Sequence, residues 1–113
     1  MIQILYIVKY LLICYIFHMP KLDCPVTKVA KLLSDTWTML IMRSLTEGPK
    51  RFCEMEAWLD GISTRTLTLK LKRLIDEGLV IKHDDGYYAP TEKGAGLKII
   101  EKAMITYSER YLD

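Results

Sequence analysis

The sequence predicts a mainly α-helical domain that contains one small β-hairpin. Apolar residues recur with the 3.6-residue period of a helix in several segments, and short breaks containing Gly or Pro separate these segments. Two short apolar runs flank Asp84-Asp85-Gly86, which is typical of a tight hairpin turn. The 113 residues suit one domain, and a composition that is 50% hydrophobic and 27% charged allows a buried core beneath a solvated surface.

The first eighteen residues are a hydrophobic leader that differs from the rest of the chain. From Ile2 to Phe17, only Gln3 and Lys9 interrupt the apolar residues. Sixteen residues in a helix span about 24 Å, less than the roughly 30 Å of a hydrocarbon core. Three alternatives remain: translation that starts at Met19, a marginal membrane anchor, or a helix that packs in a dimer interface. A membrane partner is expected only if the leader is translated and inserted. The predicted segments are a leader at residues 1–18 and a domain at residues 19–113.

Helical patterns follow the leader up to the hairpin. Ser, Thr or Asp side chains stand where the second and fourth patterns begin, and their oxygens can accept the unpaired backbone N–H groups of a helix start. Gly48-Pro49 and Gly78 stand where these two patterns end. The predicted helices cover residues 26–33, 37–45, 52–59 and 65–77. The core face expected for the fourth helix consists of Leu67, Leu71, Leu74 and Ile75.

The hairpin and a last helix complete the domain. Residues 79–83 and 87–89 are the expected strands, because the Asp and Gly residues between them tolerate the positive φ of a tight turn. Thr91 is expected to cap one continuous helix that extends to about Tyr111, and this helix carries an apolar and aromatic stripe.

The order of these elements defines the architecture. A short helix, a Gly-containing turn and a longer helix make a helix-turn-helix, and a hairpin directly after it is a wing. We therefore predict a winged helix-turn-helix with extra N- and C-terminal helices.

The fourth predicted helix has the polar face that a DNA-reading helix needs. A major groove about 12 Å wide admits one helix, whose early residues usually contact bases. Arg65 is placed for a bidentate contact with guanine, and residues 63–83 contain five Lys or Arg against two acidic residues. The alternative is an amphipathic helix whose charges are only solvated. The candidate DNA-contacting residues are Lys50, Arg51, Ser63, Thr64, Arg65, Thr66, Thr68, Lys70, Lys72, Arg73, Lys82 and His83.

Two features near this helix have more than one interpretation. Lys50 and Arg51 either bind a phosphate or only keep a loop soluble. Leu69, between Thr68 and Lys70, either contacts a thymine methyl group or packs against a neighbouring helix, and the sequence favours packing.

The sequence contains no pattern that indicates catalysis or metal binding. Zinc sites usually combine four Cys or His ligands at short paired spacings, and the three Cys and two His here are dispersed. No catalytic triad and no Gly-rich phosphate loop is apparent. We therefore predict that the protein is not an enzyme and binds no metal or cofactor. Unpaired cysteines suit the reducing cytoplasm, and Cys53 is expected to be buried beside Phe52.

An ordered series of short motifs runs along the chain from residue 24 to residue 111. The motifs are Cys24-Pro25-Val26, Trp37-Thr38, Gly48-Pro49-Lys50-Arg51-Phe52, Gly61-Ile62-Ser63, Thr66-Leu67, Leu71-Lys72-Arg73-Leu74, Gly78-Leu79-Val80 and Thr91-Glu92-Lys93-Gly94. In this order they resemble the HxlR-type winged-helix regulators. The resemblance implies a transcription regulator, expected to be a repressor, that binds a near-palindromic double-stranded DNA operator as a homodimer. It also implies that the first and last helices form the dimer interface, here with Ile100, Ala103, Met104, Tyr107 and Tyr111.

The resemblance also gives Cys24 a candidate role. In several members of that family a cysteine at this N-terminal position senses oxidants or electrophiles, which requires a thiolate and therefore a low pKa. Lys21 and Lys28 favour the thiolate, and Asp23 opposes it. The alternative is that Cys24 is a small packing residue near the dimer interface.

The sequence departs from the family pattern in its leader and in its short wing. Asp84 and Asp85 at the wing tip would lie within a Debye length, about 8 Å, of any phosphate that the tip touches, and would repel it. Weak wing contact is therefore expected, with Lys82 and His83 as the favourable wing residues. A winged helix that binds proteins and not DNA remains the alternative function, and the salt dependence of DNA affinity would separate the two.

Overall fold

The computed structural model describes residues 2–16 and 24–113, and its contacts divide the chain into two compact units that meet between Ser34 and Asp35. The predicted boundary between residues 18 and 19, and the start at Met19, lie outside the described residues. The division into leader and domain therefore stays a prediction.

The first unit contains two helices, α1 (Ile2–Ile16) and α2 (Pro25–Leu32). Pro25 occupies the first helical position of α2, where its missing N–H has no intrahelical partner to lose. No residue of α2 is buried, and Val26 on its apolar side is 75% exposed. Within the described residues, no helix combines the length and the apolar character needed to span a bilayer.

The second unit contains the elements that the sequence predicts from the second helix onward. Asp35 caps the first of these helices by accepting the backbone N–H of Thr38 at 2.9 Å, and Ser63 caps the third by accepting that of Thr66 at 3.0 Å. These caps explain why both helices begin where side-chain oxygens stand in the sequence. The elements are α3 (Thr36–Thr46), α4 (Phe52–Trp58), α5 (Thr64–Asp76), β1 (Val80–Lys82), β2 (Tyr88–Pro90), α6 (Glu92–Ala95) and α7 (Lys98–Tyr111).

The two strands form the predicted antiparallel hairpin, with Ile81 opposite Ala89. Gly86 adopts a φ of +89° in the turn, a backbone conformation that glycine reaches without steric cost. The sheet has one addition that the sequence does not predict. Lys50 exchanges two backbone hydrogen bonds with Tyr88, at 3.0 and 2.8 Å, so the segment before α4 pairs with the outer side of β2.

The core of the second unit lies where α3, α4, α5 and the hairpin meet. Its members are Ile41, Met42, Leu45, Met55, Leu59, Ile62, Leu67, Leu71, Leu74, Leu79, Val80 and Leu97. The mainly α-helical winged helix-turn-helix predicted from the sequence is confirmed by this arrangement of α4, α5 and the hairpin.

The predicted continuous last helix is wrong, because it is divided into α6 and α7. Gly94 and Gly96 weaken the helix at this point, since glycine loses more backbone entropy there than other residues. Gly94 also packs against the hairpin so closely that a Cβ atom would lie 2.0 Å from the Leu79 carbonyl oxygen. The chain then turns and buries Leu97 before α7 begins.

Three expectations about burial are also wrong. Cys53 is exposed, because Met55 and Leu59 occupy the inward side of α4. Ile75 is 38% exposed, because it faces an open cavity beside α5 and not the core. Leu69 is 56% exposed and does not pack as the sequence favoured.

Candidate nucleic-acid interface

Helix α5 presents one side to the core and the opposite side to solvent. Leu67, Leu71 and Leu74 are buried, so the helical period places the solvent-facing side of α5 about 180° away from them. Arg65, Leu69, Lys72 and Asp76, spaced by four, three and four residues, occupy this side, and all of them are exposed. We call these four residues the outward stripe.

Two cations of the outward stripe are available for an external partner. Among the residues that the structure describes, neither Arg65 nor Lys72 makes a hydrogen bond or an ion pair within the chain. They stand toward the N-terminal and middle part of α5, and Asp76 stands at its end. Arg65 therefore lies on the early part of the helix, which enters a groove in helix-turn-helix complexes.

The hydroxyl groups around the start of α5 bond within the protein. Thr64 Oγ1 donates to Glu56 Oε2 at 2.6 Å, which joins the start of α5 to α4. Thr68 Oγ1 donates to the Thr64 carbonyl oxygen at 2.7 Å, and Ser63 Oγ donates to Thr66 Oγ1 at 2.8 Å. These predicted DNA-contacting residues thus hold the helix start in place in the free protein, and Glu56, eight residues away, was not found from the sequence.

Lys70 lies apart from the outward stripe. Its ammonium group forms an ion pair with Asp35, and each side chain is 27% exposed. The pair joins α5 to the N-cap of α3. Arg73, also predicted to contact DNA, is half-buried.

Lys50 and Arg51, before α4, are held by neighbouring side chains. Lys50 Nζ lies 3.3 Å from Glu47 Oε2, which also accepts the Trp58 indole N–H at 3.1 Å. The Lys50 side chain is 13% exposed. The guanidinium carbon of Arg51 lies 4.7 Å from the centre of the Tyr87 ring, within cation–π range.

The wing carries the basic and the acidic residues predicted for it. Lys82 and His83 are exposed, and Lys82 Nζ lies 5.5 Å from the centre of the Tyr88 ring. Asp84 and Asp85 are exposed at the tip, where Asp85 accepts the backbone N–H of Tyr87 at 3.0 Å. The acidic tip thus has a structural role in the turn.

A cavity of about 230 Å³ separates α5 from the wing strand β2. The residues that line it are Phe52, Thr68, Leu71, Lys72, Ile75, Asp76 and Tyr88. Lys72 belongs both to the lining of this cavity and to the outward stripe, so the cavity lies beside that stripe.

A second exposed surface lies on α7. Tyr107 and Tyr111 stack in a tilted arrangement with ring centres 5.0 Å apart, and Tyr107 is 59% exposed. Met104 and Ala103 are also exposed, and Ile100 is half-buried. The stripe predicted from the sequence therefore faces outward, beside a cavity of about 410 Å³ lined by Arg43, Met104, Ile105, Ser108 and Glu109.

Cys24 occupies the N-cap position of α2, and its side chain is half-buried. Hydrogen bonding to the backbone of Thr27, and secondly of Val26, lowers the pKa of the Cys24 thiol below its ordinary value. Backbone N–H groups at a helix start stabilise a thiolate for the same reason that they bind anions. Lys21 and Asp23, expected to act on this thiol, lie outside the described residues.

The described residues contain no cluster of three or more His, Cys, Asp or Glu side chains that could hold a metal ion. The arrangement that the structure does bring together is a helix with exposed cations, a wing beside it and an apolar helix surface on α7.

Comparison with known proteins gives consistent matches. The family model of the HxlR-like helix-turn-helix proteins matches residues 32–113. The HTH-type transcriptional regulator YvaP of Bacillus subtilis is 35% identical over 98 residues, which cover 80% of this chain and 90% of that protein. The HTH-type transcriptional regulator sll1512 of Synechocystis sp. is 39% identical over 57 residues, and the matched part covers 50% of this chain and 42% of that protein.

Solved structures also resemble the chain. The crystal structure of quinone-bound YodB from B. subtilis matches with a TM-score of 0.73 at 31% identity, and the match covers 78% of this chain and 100% of that chain. YodB has also been crystallised after treatment with diamide. The similarity is thus to transcriptional regulators and not to enzymes.

Proposed function

Because the chain belongs to the HxlR-like helix-turn-helix family and is a transcriptional regulator and not an enzyme, we propose that it represses transcription by binding a near-palindromic DNA operator as a homodimer. Helix α5 is the recognition helix in this proposal. The observation that carries it is the outward stripe, where Arg65 and Lys72 stand exposed opposite a buried leucine face.

The outward stripe supports contact with DNA through two kinds of interaction. Arg65 lies in the first turn of α5, where a guanidinium group can bond to O6 and N7 of guanine. Lys72 lies two turns later and can neutralise a phosphate, which releases counterions and favours binding at low salt. Lys82 and His83 would add weaker contacts from the wing, next to the acidic tip.

The other predicted DNA-contacting residues, those with hydroxyl groups and the cations outside the outward stripe, would contribute less directly than Arg65 and Lys72. Ser63, Thr64, Thr66 and Thr68 position α5 through bonds within the protein and would reach DNA only by exchanging or sharing these bonds. Lys50, Arg51, Lys70 and Arg73 add positive potential around α5, and the partners of Lys50 and Lys70 reduce what each can offer to a phosphate.

The apolar surface of α7 supports a homodimer. Large exposed apolar patches on a small protein commonly mark an interface. Ile100, Ala103, Met104, Tyr107 and Tyr111 would pack against the same residues of a second copy, because a two-fold interface pairs each surface with itself. A two-fold dimer would place two α5 helices in successive major grooves about 34 Å apart, which explains why the operator is expected to be near-palindromic.

We further propose that Cys24 makes the regulator responsive to electrophiles. Its lowered pKa favours the thiolate, the nucleophilic form. With a benzoquinone, the sulfur would form a bond to a ring carbon while a carbonyl oxygen takes the electron pair and a proton. Transfer of the ring proton to the second oxygen leaves a hydroquinone thioether. The quinone-bound and diamide-treated forms of the similar protein YodB support testing these reagents.

The first experiment is a salt titration of DNA binding by the full chain. The probes are duplexes from upstream of its coding region and a random-sequence duplex library. We expect a preferred sequence, affinity that decreases as salt increases, and a loss of about five- to 150-fold in Arg65→Ala, since one bidentate guanine contact contributes about 1–3 kcal/mol. Arg110→Ala, an exposed arginine on α7, is the matched control and should bind like the parent.

Two outcomes of this titration would contradict the proposal. If a folded dimer binds no duplex, or binds without salt dependence and equally in Arg65→Ala, the proposed DNA-binding function is wrong. The alternative of a winged helix that binds proteins would then be tested, since the acidic wing tip favours it.

A further inference from the structure

Leu69 stands on the outward stripe of α5 between two cations. Arg65 precedes it by four residues and Lys72 follows it by three, so all three side chains share one side of the helix. Leu69 is 56% exposed, although five other apolar residues of the same helix and the following turn are directed to the core or to the cavity beside it. Leu69 does not contribute to the core, and on the outward stripe it would enter any groove that Arg65 and Lys72 enter.

The surroundings of Leu69 favour DNA as its partner. A protein partner recognises an apolar patch of several side chains, whereas Leu69 is a single apolar side chain flanked by positive charge. A polyanion that carries isolated apolar groups matches this pattern. In the major groove, the 5-methyl group of thymine is such a group, and apolar side chains contact it.

We propose that Leu69 is a specificity-determining residue that contacts the 5-methyl group of a thymine in the operator. This inference rests on the proposed DNA-binding function and extends it to the sequence of the operator.

The helix geometry limits where this thymine lies. Four residues advance a helix by about 6 Å, and base pairs are spaced by about 3.4 Å. The thymine that Leu69 contacts is therefore expected about two base-pair steps from the base that Arg65 contacts. Asp76, eleven residues after Arg65, ends the stripe with a negative charge, so contacts are confined to the part of α5 before it.

The experiment replaces each thymine of the selected operator, one at a time, by deoxyuridine, which removes only the methyl group. For the full-length chain, we expect affinity to fall about fourfold at one thymine in each half-site, the equivalent of burying one methyl group. Leu69→Ala should bind the thymine and deoxyuridine duplexes equally, and Leu69→Met, which keeps an apolar side chain, should retain a preference for thymine. Leu112→Ala removes another exposed leucine and should behave like the parent chain.

The outcomes separate this inference from the function on which it rests. If Leu69→Ala selects the same operator and keeps the full preference for thymine at every position, Leu69 does not read the methyl group and the inference is overturned. If the parent chain is folded but selects no duplex, the DNA-binding function fails and the inference fails with it.

Discussion

The ammonium group of Lys70 in α5 forms an ion pair with the carboxylate of Asp35, the residue that caps α3. Asp35 thus accepts both the Thr38 backbone N–H and the Lys70 side chain. Partial burial by itself raises the pKa of Asp35. The hydrogen bond from Lys70, the Thr38 N–H and the charge of Lys70 together outweigh it and lower the pKa below its ordinary value. Helix α5 is therefore held to α3 by a group that titrates in acid.

The first prediction concerns the acid dependence of stability. A carboxylate with a lowered pKa in the folded state stabilises the fold above its unfolded pKa of about 3.9, and this contribution is lost as pH falls through the lower folded value. Asp35→Asn keeps the cap but removes the ion pair. It should therefore lower the free energy of unfolding by about 1 kcal/mol at neutral pH, and leave it unchanged at a pH below the folded pKa of Asp35. Urea unfolding as a function of pH measures this. An equal cost at every pH would contradict the ion pair as its source.

The second prediction concerns the contact between α6 and the hairpin. A Cβ atom on Gly94 would lie 2.0 Å from the Leu79 carbonyl oxygen and 2.9 Å from Met42 Cε, so Gly94→Ala should destabilise the fold by about 1–3 kcal/mol. Gly96→Ala is the control, because its nearest neighbour would be the Lys93 carbonyl oxygen at 3.3 Å. Thermal unfolding of both variants measures the difference, and equal melting temperatures would contradict the close approach.

The third prediction concerns the acidic wing tip. Asp84→Asn removes a charge expected to face phosphate and should raise DNA affinity about threefold at low salt, with the gain disappearing at high salt because exposed charges are screened. Asp84 is a better choice than Asp85, which accepts the Tyr87 N–H. Fluorescence anisotropy at several salt concentrations measures the effect. Asp113→Asn at the C-terminus is the control, and an equal gain there would indicate only a change in net charge.

The fourth prediction concerns the α7 surface. Tyr107→Glu places a charge in the proposed two-fold interface, where it would lose its solvation, and should convert the dimer to a monomer. Thr106→Glu changes the adjacent exposed residue on another side of the same helix and should leave the dimer intact. Sedimentation equilibrium distinguishes the two variants. A monomeric parent chain, or a dimer that persists in Tyr107→Glu, would show that α7 does not form the interface.

The fifth prediction concerns the Cys24 thiol. Hydrogen bonding to the backbone of Thr27 and of Val26 lowers the pKa of Cys24. Alkylation of Cys24 by iodoacetamide should therefore reach half its maximal rate at a pH below the ordinary thiol pKa of about 8.5. The same residue in the urea-unfolded chain is the control, where the helix start is lost and the midpoint should rise. Mass spectrometry of the Cys24 peptide gives both profiles. Coincident midpoints would remove the physical basis for sensing at this position.

Much of the fold was predictable because its signals are local. Asp35, Ser63 and Thr91 each cap a helix that begins within one residue of its predicted start, since a cap bonds only to backbone N–H groups within its own first turn. The turn at Gly86 is local for the same reason. The division of the last helix was missed, because it depends on the contact between Gly94 and Leu79, fifteen residues apart.

The candidate site was only partly predictable. By itself, the sequence determined the order of the elements, the buried leucine face of α5 and the basic character of the segment, because periodicity and composition are properties of neighbouring residues. Only the tertiary structure decided which side chains remain available to a partner. Lys70 forms an ion pair with Asp35 and Thr64 donates a hydrogen bond to Glu56, whereas Arg65, Leu69 and Lys72 stay exposed. These differences depend on contacts between residues that are distant in the chain.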